Sequence, residues 1–86
     1  MPRYLIERNF AAQVGLTKAD VEGINRINDE EGVAWITSFL SVDKKKTYCL
    51  YDAPNPEAIR TAARRNNVPA DVIIEIGGEL SPTMFG

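Results

Sequence analysis

Two carboxylates stand in apolar company in this chain. Glu7 lies in Arg-Tyr-Leu-Ile-Glu-Arg-Asn (residues 3–9) and Glu75 in Val-Ile-Ile-Glu-Ile (72–76). A carboxylate so placed must be hydrogen-bonded, paired, protonated or bound to a cation. If burial raises its pKa, it becomes a usable base near neutral pH. The central stretch, 33–52, adds a hydroxyl at Thr37, a thiol at Cys49, and the rings of Trp35 and Tyr51. Strand alternation that aims Glu7, Trp35, Thr37, Cys49, Tyr51 and Glu75 into one space would make a small pocket that is both aromatic and acidic. The plain alternative leaves the two Glu residues at a rim, meeting water or an arginine such as Arg8.

Other chemistries fit less well. Cys49 has no histidine to activate it, because the chain contains none; a small core thiol is the simpler reading. Pro2 could act as an N-terminal base only after removal of Met1. Lys46-Thr-Tyr-Cys-Leu-Tyr lacks the glycine of an RNA-recognition strand, and Lys44, Lys45 and Lys46 read as a solvated turn. There is no Gly-rich phosphate loop, zinc spacing or nucleophile elbow. With a formal charge of −2, no global basic field attracts nucleic acid or an anionic membrane. No apolar run approaches the ~18 residues of a membrane span. A lone cysteine suits a reducing cytoplasm.

The elements that must position these residues are readable. Residues 3–9 predict a first strand, with Tyr4 and Ile6 toward the helices and Leu5 and Glu7 away. After a loop at 10–16, Thr17 begins a helix. Leu16 with Val21 forms a hydrophobic staple, and Thr17 with Asp20 forms a capping box. Val21, Ile24 and Ile27 are the expected buried stripe, and Gly32 the stop. Asp29, Glu30 and Glu31 crowd the helix end, against the macrodipole, as a solvated face or an acidic site. A hairpin over 33–52 follows. Asn55 caps a second helix with Pro56 at its first position and Ala58, Ile59, Ala62 and Ala63 as its packing stripe. Residues 72–76 predict the last strand, with Val72, Ile74 and Ile76 toward the helices and Ile73 and Glu75 away. The tail carries Met84 and Phe85, apolar residues suited to docking on a neighbour.

The order β-α-β-β-α-β over 86 residues is one ferredoxin-like α+β domain, 1–86: a four-stranded antiparallel sheet with two helices on one face. Leu5, Val33, Trp35, Phe39, Cys49, Tyr51 and Ile73 are then expected on the other face. That is too much contiguous apolar surface for a monomer, and a domain this small buries only roughly 60–65% of its surface. A homodimer packed through the open sheet face is the expected remedy.

The runs Trp35-Ile-Thr-Ser-Phe39, Lys46-Thr-Tyr-Cys-Leu-Tyr-Asp-Ala-Pro54, Glu57-Ala-Ile-Arg60 and Pro69-Ala-Asp71 resemble a widespread bacterial domain family of unknown function. Its best-described relatives are nickel-binding proteins. The Cys-x-Tyr-x-Ala-Pro segment is the most specific part. The resemblance implies a ferredoxin-like protomer and a dimeric α+β barrel. It also implies histidines at the places of Thr37 and Ala62, where this chain departs from the pattern. Nickel favours imidazole and thiolate ligands, and Cys49 alone remains. Glu7 and Glu75 offer oxygen ligands to a harder divalent metal.

Three functions follow as expectations. The first is a non-enzymatic dimeric protein that binds a small molecule or metal ion between its sheets. The second is a small dimeric α+β barrel enzyme acting on a hydrophobic small molecule, with Glu7 or Glu75 as base. The third is an interaction module with no ligand.

Overall fold

A computed structural model describes residues 1–85. Among them the order is β1 (Arg3–Asn9), α1 (Lys18–Glu31), β2 (Ala34–Leu40), β3 (Lys46–Asp52), α2 (Pro56–Arg65) and β4 (Val72–Ile76), then a 3₁₀ turn at Pro82–Phe85. The four strands form one sheet in the order β2-β3-β1-β4, every neighbouring pair antiparallel. This is the expected α+β, ferredoxin-like arrangement, with the core between the sheet and two helices.

The helix ends are built as their residues dictate. Thr17 accepts from the Asp20 amide at 3.1 Å while the Asp20 carboxylate accepts from the Thr17 amide at 2.9 Å. Gly32 closes α1 at φ 73°, a left-handed conformation that favours glycine. Asn55 Oδ1 accepts from the Ala58 amide at 2.9 Å, with Pro56 at the first helical position. The acidic end of α1 is neutralised across the helix pair, Arg65 donating to Glu30 at 2.6 Å and Glu31 at 2.7 Å. Val21, Ile24 and Ile27 are half-buried. The fully buried residue of α1 is Asn28, whose side-chain amide lies 3.5 Å from the Tyr51 hydroxyl and accepts from Asn66 at 3.3 Å.

Two strands face the other way from the sequence expectation. Tyr4 and Ile6 do face the helices, and β1–β3 register pairs them with Tyr51 and Cys49, and Arg8 with Thr47. Cross-strand partners share a face. Thr47, Cys49 and Tyr51 are therefore buried beneath the helices, while Tyr48 and Leu50 take the open face. Both faces of β3 are apolar enough that its own pattern does not choose between them; pairing to β1 does. In β4, Ile6 pairs with Ile73 and Tyr4 with Glu75. Ile73 thus packs on the core, and Val72, Ile74 and Ile76 turn outward.

A bulge divides β2. Trp35 pairs with Tyr51, yet Thr37 pairs with Leu50, leaving Ile36 as the extra residue. Val33 and Trp35 consequently belong to the core side, whereas Thr37 and Phe39 sit on the open face as expected. The phase change also returns Ser38 to Trp35's side, where its hydroxyl accepts from the indole N–H at 2.9 Å. The open face is still apolar, but it is made of Leu5, Phe39, Tyr48, Leu50, Val72, Ile74 and Ile76. Phe39 is 63% exposed and Ile74 54%. No helix among the described residues is long and apolar enough to cross a membrane.

Candidate functional site

The six residues expected to share a pocket do not meet. Trp35, Cys49 and Tyr51 lie on the helix side of the sheet. Glu7 and Thr37 lie on the open side, where Glu7 meets Lys46 Nζ at 3.3 Å. Glu75 is on the helix side, but β4 is an edge strand and the carboxylate is exposed. Its nearest consequence is on Tyr4, whose phenol is pushed up by burial and, secondarily, by the Glu75 charge.

The three aromatic and thiol residues do come together around a cleft of about 100 Å³ between the sheet and α1. Trp35, Thr47, Cys49 and Tyr51 floor it. Ile24 of α1 lines it as well, with Asn66 and Val68 just after α2. Phe10, Val14 and Leu16 of the β1–α1 loop complete the lining. That loop is tied to the β2–β3 turn through Phe10 N–H to Lys45 O (2.8 Å) and Val14 N–H to Lys44 O (2.7 Å). The loop backbone is therefore anchored to the hairpin turn.

Arg8 is the unusual member of the lining. It is only 5% exposed, donates to the Pro69 carbonyl at 2.5 Å, and stacks over the Tyr51 ring at 5.6 Å. Burial pushes the Tyr51 phenol up, although the Arg8 charge and the Asn28 amide pull the other way. Cys49 Sγ lies 3.5 Å from the Thr47 hydroxyl. The sequence reading named Arg8 only as a partner at the rim. It missed Arg8 as a lining residue, and with it the loop residues and Asn66. The alternation Tyr4, Ile6, Arg8 carried that information, since every second residue of the first strand points the same way.

Nickel does not fit the donors present. Among the described residues no three of His, Cys, Asp or Glu gather. Cys49 is buried with a hydroxyl as neighbour, and Thr37 and Ala62 stand on opposite sides of the sheet.

Comparison with known proteins adds a family. A family model described as nickel responsive protein SCO4226-like matches residues 4–76. A solved structure, described as the crystal structure analysis of SCO4226 from Streptomyces coelicolor A3(2), superposes with a TM-score of 0.69. It is 18% identical, over 91% of this chain and 99% of that one. No curated protein matches.

Proposed function

The chain belongs to the SCO4226-like family of nickel responsive proteins, and from that premise we propose a non-enzymatic binding protein that works as a twofold dimer. Its binding site is the cleft under its own helices, and its partner surface is the open face of the sheet. One observation carries the reading: a cleft with apolar and aromatic walls contains a buried cation, the combination that gives a small-molecule site both affinity and orientation.

A second copy is the occupant best suited to the open face. The face carries apolar side chains from all four strands, and its charges are paired with each other, Glu7 with Lys46 and Arg3 with Asp52. Two such layers pack face to face at about 10 Å, and each large apolar side chain so buried contributes roughly 1.5–3 kcal/mol. The family name ties relatives to nickel. In this chain the donor set supports a small organic ligand over that metal. The enzyme reading lacks its base in the cleft, because Glu7 is paired on the far side and Glu75 is exposed. The free Cys49 thiol supports a reducing compartment such as the cytoplasm.

The test uses Trp35, the one tryptophan of the chain. Titration with benzamide, a neutral ring-sized probe, is expected to change Trp35 emission saturably. An emission that does not respond contradicts the site.

A further inference from the structure

Arg8 raises a question of charge balance that the fold itself leaves open. A guanidinium has five N–H donors, and burying a cation without a counter-ion is costly. Among the described residues no carboxylate lies within ion-pair distance of it. The carboxylates of the neighbouring strand ends are engaged elsewhere: Glu7 with Lys46 across the sheet, and Asp71 with the Asn9 amide at 2.6 Å. Tyr51, beside the guanidinium, keeps its proton because burial holds the phenol above its ordinary range, so it is no counter-ion. Its hydrogen bond to the Pro69 carbonyl uses one nitrogen, Nη1, and the Tyr51 phenol is its other polar neighbour. No fully buried side-chain nitrogen or oxygen among the described residues lacks a partner. Arg8 is among the residues that line the cleft, which makes the cleft the place for a counter-charge.

We infer that the cleft takes a small monocarboxylate with an apolar body, its carboxylate on Arg8 and its ring or short branched chain against Trp35 and Ile24. This rests on the cleft being the binding site and adds the class of ligand. A carboxylate matches the planar fork of a guanidinium and forms charge-assisted bonds with it. The Tyr51 ring and the Pro69 carbonyl hold that fork in place before the ligand arrives, which lowers the cost of ordering it. The rest of the lining excludes a more highly charged guest: beyond Arg8 the charged side chains are absent, and Phe10, Val14, Leu16 and Ile24 are apolar. A phosphate dianion would find one cation and greasy walls. The volume of about 100 Å³ is below the roughly 150 Å³ that encloses benzene in an apolar cavity. The cleft is open on one side, so a single ring need not be enclosed completely.

Benzoate and benzamide, the same ring with and without the charge, make the test. Each is titrated into the full chain and followed at the Trp35 indole N–H resonance. Benzoate is expected to bind at least about tenfold tighter than benzamide, the scale of a charge-assisted hydrogen bond, and Arg8→Gln is expected to erase that preference while benzamide binding persists. The wild-type comparison stands on its own if the variant does not fold. Equal affinity for the two probes would overturn the carboxylate class and leave the cleft as a neutral site. A preference for benzoate that survives Arg8→Gln would overturn the role of Arg8. No shift with either probe would overturn the binding site itself.

Discussion

At the scale of single residues, position relative to the helices decides what each side chain can do. Ile6 is fully buried at the centre of the core, and Ile6→Ala is expected to cost about 2–5 kcal/mol in a denaturant titration. Tyr4 and Tyr51 set the alkaline limit. Both phenols are held above their usual value, chiefly by burial. Above pH about 10 the unfolded chain loses those protons while the native state keeps them, so stability is intact below about 10 and falls as pH rises through the folded values. Denaturation midpoints on either side of pH ~10 check the sign, and a midpoint that rises would contradict the burial of these phenols. Glu7 shows what sequence cannot supply. Its strand context marked it as needing a partner, but only the register that puts Tyr48 and Lys46 beside it identified that partner as Lys46 and not Arg8.

At the scale of elements, the local signals were strong and the facing of two strands was not. The capping box at Thr17, the Asn55 cap and the Gly32 stop were all legible, because each depends on residues within one turn. Thr17→Ala is expected to lower stability by about 0.5–2 kcal/mol. The stabilisation from Asp20, whose carboxyl is depressed by the Thr17 amide and hydroxyl, is present above its unfolded value and lost as pH falls through the lower folded one. Urea midpoints in acid therefore separate Thr17→Ala from wild type less than midpoints at neutral pH. Facing failed in β3 and β4 because Ile73, Ile74, Tyr48 and Cys49 are each apolar enough for either side. The β2 bulge was invisible for a related reason: Trp35-Ile-Thr-Ser-Phe39 alternates acceptably with or without an extra residue. Since Thr37 already pairs with Leu50, deleting Ile36 is expected to restore a regular strand with Trp35 still under the helices. An unchanged Trp35–Ser38 hydrogen bond, read at the indole resonance, would agree; a lost one would show that the bulge itself sets Trp35.

At the scale of the whole molecule, the proposed function gives the sheet a separate job on each side. The helix side contains the cleft, with Arg8, Trp35, Cys49 and Tyr51. The open side, with Phe39 and Ile74 more than half exposed, is the proposed dimer surface. An apolar second face could be read from composition and strand order, although the residues that compose it were largely exchanged for their neighbours. Sedimentation velocity is expected to give a species of twice the 9.5 kDa protomer, and Ile74→Asp to dissociate it, because a charge cannot be packed between two apolar layers. Apparent stability should then rise with protein concentration in the wild type alone. The most direct test of the account is a residue-resolved amide spectrum of the wild type titrated with benzamide. It predicts saturable shifts at the Trp35 indole and around Arg8, Thr47 and Asn66, with Tyr48, Leu50 and Ile74 unmoved. Shifts centred on Tyr48, Leu50 and Ile74 would put the site on the other side of the sheet and contradict it.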